Sequence, residues 1–275
     1  MPAIALHRSA SVGLFFNKFS QNFTGMLQPW QTGKVIRIEN ETAQTRRFWI
    51  QIPGIDNFDF KPGQFVTLDL PIHEKPNKRV RSYSIASWPD GTNTIELVIV
   101  LLEGGAGTTY LFNEIREGSE LTLRGPQGVF TLPEPIEKDL FFICTGTGIA
   151  PFRSMVHHLA NHNITHKEIY LIFGCRTFGD ALYGQELKDL MDRMPSLHYI
   201  PTFSRESSDN HLIRTGYVHA IYEEICRSGQ GTSGDTTPRA ASFFLCGWKN
   251  MIDEAKQRIQ ALGYERKSIH QELYG

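Results

Sequence analysis

Four short segments combine residue types that can hold anions, stack on flat rings and move protons. In Cys144-Thr145-Gly146-Thr147-Gly148-Ile149-Ala150-Pro151-Phe152 an apolar run ends at Cys144 and a Gly-Thr-Gly turn follows, with Pro151 where a helix would begin. Proline suits a first helical turn because its missing N–H has no partner there. Glycines let backbone come close to a ligand, and free N–H groups at a helix start receive phosphate. The spacing differs from Gly-x-Gly-x-x-Gly, and alone it equally suits a tight turn of any α/β protein. In Arg81-Ser82-Tyr83-Ser84, strand alternation points Arg81 and Tyr83 to one side and Ser82 and Ser84 to the other. Arg and Tyr on one face can serve a phosphate and a flat ring together, although an amphipathic strand with an exposed polar face reads the same way. Gly105-Ala106-Gly107-Thr108-Thr109 offers small residues and hydroxyls ahead of a short helix, which makes either an anion site or a surface loop. Cys246-Gly247-Trp248-Lys249-Asn250-Met251 sits where a buried strand turns into the last helix. That cysteine is either a small buried hydrophobe or a residue at a strand's carboxyl end, where open α/β sheets bind ligands.

The elements that must position these segments have two textures. From Lys34 to Leu132, short β-type runs alternate with turn signals: Lys34–Ile38, Arg47–Ile52, Gln64–Leu70, Ser82–Ser87, Thr94–Leu101 and Glu120–Leu123. Pro62-Gly63, Pro89-Asp90-Gly91 and Gly125-Pro126 separate them, and Thr109–Ile115 reads as one short helix. Such spacing predicts a closed antiparallel barrel. From Ile136 onward, the apolar runs Leu140–Cys144, Ile169–Phe173, Tyr199–Phe203 and Phe243–Cys246 lack alternation, as strands buried on both faces do. Helical stretches Phe152–Asn161, Gln185–Arg193, Val218–Cys226 and Asn250–Leu262 lie between or after them, which predicts a parallel sheet covered by helices. The polar stretch Ser228–Arg239 reads as a loop without chemistry.

The chain's 275 residues suit two modest domains. Lys+Arg 28 against Asp+Glu 29 gives a net charge of -1, without the basic excess of a general nucleic-acid binder. Hydrophobic residues at 40% argue against wholesale disorder. The longest apolar run, Leu97 to Leu102, falls far short of the roughly 20 residues of a membrane span, so a soluble protein is expected. Cysteines 144, 175, 226 and 246 form no Cys-x-x-Cys pair and the histidines no His-Glu-x-x-His motif, so no metal site is expected. Wide cysteine spacing suits reduced thiols in a reducing compartment, and a cytoplasmic setting is expected. The acid-poor stretch before Glu39 reads either as a weak organellar transit signal or as an extension whose Phe15, Phe16 and Phe19 pack on the body. The second reading is preferred.

Taken in this order, the four segments resemble the ferredoxin–NADP reductase family of flavoproteins, over roughly residues 30 to 275. The resemblance implies an N-terminal extension at 1–29, an antiparallel flavin-binding β-barrel at 30–134 and a parallel-sheet nucleotide-binding α/β domain at 135–275. It implies that Arg81 meets the flavin phosphate beside Ser82, that Tyr83 stacks on the isoalloxazine and that Ser84 lies near flavin N5. Gly105, Gly107 and Thr108 look like the second phosphate loop. Thr147, Gly148 and Pro151 belong to a segment similar to the plant-type nicotinamide-nucleotide loop, and Cys246 to the position bordering nicotinamide C4. Glu272-Leu273-Tyr274 is similar to the plant-type Glu-x-Tyr terminus, where Tyr covers the flavin and Glu serves hydride and proton chemistry. Gly275 departs from that pattern, since the aromatic is there the last residue, and it could loosen the lid.

Ser204-Arg205 and the later Tyr217 resemble the plant-type residues that hold the adenosine 2′-phosphate and adenine, with Arg214 as a helper. An arginine at the 2′ position suits NADP, because an acidic residue would repel the extra phosphate. The cofactors implied are therefore FAD and NADP(H), with NAD(H) as the lesser expectation, and FAD over FMN follows from the resemblance alone. The implied activity is hydride transfer between NADPH and FAD with single electrons exchanged with a separate carrier, ferredoxin or flavodoxin. No cluster-binding cysteines follow Tyr274, hence the separate carrier. Lys61, Lys75, Lys78, Arg79 and Arg153 either face an acidic ferredoxin or are ordinary solvated charge. Two other readings stay open: an NADH-dependent reductase component serving an oxygenase or other acceptor, and a flavin-binding sensor subunit without turnover.

Overall fold

A computed structural model describes residues 28–210, 212–228 and 238–274. The packing of Phe15, Phe16 and Phe19, most of the 228–239 loop and Gly275 fall outside them.

The first half forms β1 (Gln31–Thr42), β2 (Thr45–Gln51), β3 (Phe65–Asp69), β4 (Val80–Ser84), β5 (Thr94–Val100) and β6 (Glu120–Gln127). Helix α1 (Ala106–Asn113) lies between β5 and β6. The strands pair antiparallel in the order β4-β3-β6-β1-β2-β5. Alternation sets the inner face: in β2 and just beyond it, Phe48, Ile50 and Ile52 are all buried in the barrel core with Val66, Leu97 and Leu123. The strand predicted at Ser82–Ser87 stops at Ser84, because the chain then leaves β3 and crosses to β5. There the Ala86 N–H donates to the Glu96 carbonyl at 2.8 Å and the Glu96 N–H to Ser87 Oγ at 2.9 Å, closing the barrel. β6 runs through Gly125-Pro126, where sequence suggested a turn; an irregularity in its ladder with β3 accommodates the proline. Helix α1 starts three residues earlier than expected, since Ala106 and Gly107 form its first turn rather than a loop.

The second half continues as β7 (Asp139–Thr145), α2 (Ala150–Asn161), β8 (Ile169–Cys175), α3 (Gly184–Arg193) and β9 (Leu197–Phe203). A two-residue β10 (Arg214–Thr215), α4 (Val218–Ser228), β11 (Ala241–Trp248), α5 (Lys249–Ala261) and β12 (Ile269–Tyr274) complete it. All six strands are parallel, in the order β10-β9-β8-β7-β11-β12. The unbroken apolar runs are explained by two cores. Leu140, Phe142 and Cys144 of β7 face one, while Phe141 and Ile143 face the other. Phe152 of α2 stacks on Phe142 with ring centres 4.8 Å apart, pinning the helix to the sheet. The chain order reverses between β7 and β11, so the crevice beyond their carboxyl ends is where an open α/β sheet takes its ligand.

Candidate functional site

A cleft of about 1950 Å³ opens at that crevice and runs along β4 of the barrel to the start of α1. Single small-molecule sites usually occupy roughly 300–1,000 Å³, so this cleft has room for two dinucleotides. Its walls carry Arg81, Ser82, Tyr83, Ser84, Gly105, Gly107 and Thr108 from the barrel. Thr147, Ser204, Tyr217 and Tyr274 line it from the second domain.

Two parts of the barrel wall come together by packing. Arg81 donates from Nη1 to the carbonyls of Lys78 and Val80, at 3.1 and 2.8 Å, which lays its stem over the start of α1. A methyl group on Gly107 would stand 3.1 Å from Arg81 Cγ, so only glycine leaves that approach undisturbed. Arg81 thus lies against the first turn of α1, and its charge together with the open N–H groups of that turn makes a positive cradle suited to phosphate. Thr108 does something different from the expected ligand contact. Its hydroxyl is 3.1 Å from the Gly105 carbonyl and accepts from the Leu102 N–H at 3.1 Å, shaping the loop. Ser82 Oγ lies 3.2 Å from Thr67 Oγ1 on the neighbouring strand. Burial pushes the Tyr83 hydroxyl up to about 12 against the charge of Arg81, so Tyr83 remains a neutral ring.

Where the domains meet, three side chains form a chain of hydrogen bonds. The Tyr274 hydroxyl donates to Ser84 Oγ at 2.8 Å, and Ser84 donates to Glu272 Oε2 at 2.8 Å. Parallel pairing sets Cys246 beside Glu272 and Trp248 beside Tyr274. Cys246 is fully buried, and that burial, reinforced by Glu272, holds its thiol well above the ordinary range. Burial likewise raises the Glu272 carboxyl, with the Ser84 bond pulling the other way. It also raises the Tyr274 hydroxyl well beyond the usual value, helped by the nearby Cys246 and Glu272. A carboxyl linked through one hydroxyl to a second in this way can hold or pass a proton.

The nucleotide loop divides into wall and support. Thr145, Gly146 and Thr147 face the cleft, whereas Gly148 and Pro151 are buried behind it. Gly146 has φ +54° and open space where a side chain would go, so its backbone is bare toward the cleft. Gly148 needs glycine for another reason than ligand approach: a methyl there would lie 2.3 Å from the Cys246 carbonyl. Pro151 stands in the first turn of α2, as its missing N–H allows.

The adenosine-side residues are only partly assembled. Ser204 lines the cleft with its hydroxyl 3.3 Å from the Cys175 carbonyl, and Tyr217 is 73% exposed beside it. Arg205 is exposed and outside the cleft wall, while Arg214 is paired with Glu224 at 2.7 Å. Arg176, at the carboxyl end of β8, takes the wall position, 3.6 Å from Asp180. The sequence reading missed it, although its place just past a strand end was the available signal. Thr145 was missed too: its Oγ1 is buried, lacks a hydrogen-bond partner and borders the cleft. An orphaned hydroxyl beside a bare glycine backbone is what a bound nucleotide would satisfy. These residues fit a flavin dinucleotide on the barrel and a nicotinamide dinucleotide on the sheet.

Arg153 corrects an expectation. It is 3% exposed, held inside the domain interface rather than offered to a partner. Arg79 is bound by Asp69 at 2.7 and 2.9 Å, whereas Lys61, Lys75 and Lys78 are exposed. Among the described residues, no helix is long and apolar enough to cross a membrane, and no three His, Cys, Asp or Glu side chains gather as metal ligands.

Comparison with known proteins agrees with this architecture. Residues 32–132 match the oxidoreductase FAD-binding domain and residues 142–257 the oxidoreductase NAD-binding domain. The chain is 36% identical over 219 residues to ferredoxin–NADP reductase B of Sorangium cellulosum, covering 79% of this chain and 86% of that one. A glycine betaine monooxygenase reductase subunit of Pseudomonas aeruginosa is 28% identical over 264 residues, 93% of this chain and 69% of its own. Among solved structures, a ferredoxin NADP+ reductase from Neisseria gonorrhoeae with bound FAD and NADP superposes with a TM-score of 0.72. It is 25% identical and covers 89% of this chain and 98% of that one. Barrel, sheet and cleft together define an FAD-dependent electron-transfer oxidoreductase that uses a nicotinamide dinucleotide. The chain belongs to the ferredoxin–NADP reductase family of flavoproteins.

Proposed function

We propose that this protein takes hydride from NADPH and passes electrons one at a time to a separate small carrier protein, ferredoxin or flavodoxin. Bound FAD supplies the exchange between two-electron and one-electron chemistry that side chains lack. The observation that carries the reading is the Tyr274–Ser84–Glu272 chain, which brings a shielding ring, a hydroxyl and a carboxyl of raised pKa to the domain junction. In this reading Arg81 and the start of α1, from Gly105 through Gly107, hold the flavin phosphates, and Tyr83 stacks on the ring while Ser82 and Thr108 brace the cradle. Thr145, Thr147 and the backbone at Gly146 hold the nicotinamide nucleotide, with Gly148, Pro151 and Cys246 supporting them from behind. Ser84 and Glu272 hold and move a proton, and Tyr274 covers the ring site until nucleotide displaces it. Ser204, Arg205 and Tyr217 receive the adenosine end. The Sorangium relative supports NADPH and ferredoxin through its own name, and the four unpaired thiols suit a reducing compartment such as the cytoplasm.

A second reading, an NADH-dependent reductase component serving an oxygenase, draws support from the glycine betaine monooxygenase reductase subunit and an anthranilate 1,2-dioxygenase electron transfer component among the relatives. Anaerobic mixing of the FAD-loaded protein with each nucleotide separates the two. Faster bleaching of the flavin bands by NADPH is expected. Faster bleaching by NADH overturns the NADPH assignment, and bleaching by neither favours a sensor without turnover.

A further inference from the structure

A heavily bonded polar cluster among the described residues lies outside the cleft, in the interface between the two domains. Arg153 of α2 is 3% exposed and Glu96 of β5 is 2% exposed. Nη1 of Arg153 donates to Glu96 Oε2 and to the Ala86 carbonyl, both at 2.9 Å. Its Nε and Nη2 grip Glu186 of α3 at 2.6 and 2.9 Å. Glu96 also accepts from Arg47 at 2.6 and 3.1 Å and from the Tyr183 hydroxyl at 2.7 Å, so its oxygens are fully engaged. Tyr183 has φ +54°, a conformation costly for a bulky residue. It is held from both ends, by Glu96 at its hydroxyl and by Glu41, which accepts from its N–H at 2.7 Å.

The attachment points give this cluster its meaning. Ala86 and Glu96 are the two residues whose backbone bond closes the barrel. Ala86 stands two residues beyond Ser84, and Arg153 stands four residues beyond the Gly146–Ile149 turn. One guanidinium therefore ties the end of the strand carrying Ser84 to the helix that continues from the nucleotide loop. A buried charge cluster is a poor source of net stability compared with apolar packing, so simple strengthening of the interface explains it badly. What such a cluster provides is a fixed geometry with one set of partners.

We propose that Arg153 and Glu96 are positioning residues that set the approach of the nicotinamide half-site to the flavin half-site. This rests on the cofactor placement of the previous section. A displacement of about 1 Å between reacting groups can cost on the order of 100-fold in rate, whereas each cofactor binds mainly within its own domain. Loss of the clamp should therefore slow the hydride step and leave both binding equilibria nearly intact.

The test uses the FAD-loaded protein, Arg153→Lys, Glu96→Gln and the paired Arg153→Gln/Glu96→Gln variant, which leaves neither charge unopposed by the other. Rapid mixing with saturating NADPH and with NADH measures the reduction rate, and equilibrium titration with NADP+ measures affinity. Hydrogen exchange of the same FAD-loaded proteins at the Ala86 amide reports the barrel seam directly. Expected are a reduction rate lower by about 10- to 100-fold in the paired variant, NADP+ affinity within about twofold of wild type and full FAD content. Arg153→Lys should recover part of the rate, and Ala86 exchange should quicken in the paired variant. Unchanged reduction in folded, FAD-replete variants overturns the clamp, as does a rate loss that only follows lost FAD. Wild-type protein that neither nucleotide reduces overturns the reading of the cleft and the clamp with it.

Discussion

The hydroxyl of Ser84 donates to Oε2 of Glu272 at 2.8 Å, joining residues 188 positions apart, one on the barrel and one on the last strand of the sheet. This contact exists only when the two domains are correctly docked. Burial of the Glu272 carboxyl at this junction favours the neutral acid, and the Ser84 bond opposes that only in part.

A pH prediction follows from the sign of that shift. Because the folded protein holds Glu272 above its usual 4.5, the protonated acid favours folding. That contribution is complete below about 4.5 and is lost as pH rises through the raised value. Glu272→Gln should therefore show a flatter decline in denaturant midpoint above pH 4.5 than wild type. Parallel profiles in the two proteins would falsify the assignment.

Tyr274 predicts a gain rather than a loss. Its ring lines the cleft with its hydroxyl tied to Ser84, and in the proposed reading an incoming nicotinamide competes with it there. Tyr274→Ser should raise NADP+ affinity by about 10-fold, or ~1.4 kcal/mol. Unchanged affinity by calorimetric titration would show that Tyr274 does not gate the site.

Much of this was legible because the chain is locally consistent. The runs Leu140–Cys144 and Ile169–Phe173 read as two-sided strands, and Gly146 and Pro151 suited a strand-to-helix turn. Side-chain contacts between residues far apart in sequence that belong to no recurring motif were not legible. Arg153 reads as a surface cation by type, and only the folded chain surrounds it with Glu96 and Glu186. Gly148 reads as a ligand-facing glycine, yet its constraint comes from Cys246, 98 positions on by numbering. Arg176 escaped attention because strand ends announce themselves less clearly than glycine turns.

The adenosine end gives a discriminating pair of variants. Arg205 is exposed beyond the cleft wall, while Arg176 lines it next to Ser204. If Arg205 reads the 2′-phosphate, Arg205→Ala should raise the Kd for NADPH by about 10-fold or more and leave that for NADH nearly unchanged. Equal weakening toward both nucleotides shows that Arg205 does not discriminate, and Arg176→Ala is then the variant to compare.

Gly148→Ala should damage the site from behind. The new methyl would lie 2.3 Å from the Cys246 carbonyl, a backbone atom at the end of the β11 ladder with β7 and inside its ladder with β12. Either the nucleotide loop or β11 must shift, at a cost of ~1–3 kcal/mol typical of overpacking. The melting temperature should fall and nucleotide affinity with it. A variant as stable as wild type would mean that the loop yields freely.

Acid should loosen the domain interface through Glu186. Burial disfavours its charge, but hydrogen bonds from His157 and Arg153 outweigh that and hold the carboxyl down at about 2. A depressed carboxyl stabilises the fold above its unfolded value near 4.5, and that stabilisation is lost as pH falls from there toward about 2. The full shift corresponds to roughly 3 kcal/mol at neutral pH, an upper bound because part of Glu186 still meets water. Glu186→Gln should therefore melt well below wild type at pH 7, and the gap should hold down to about pH 5 and narrow from there to pH 3. Glutamine keeps one acceptor oxygen, so the variant loses the charge and one of the two bonds from Arg153, and it should reduce more slowly with NADPH at pH 7 while its FAD content stays full. A melting gap that stays constant from pH 7 to pH 3 would show that the charge of Glu186 is not what holds the interface.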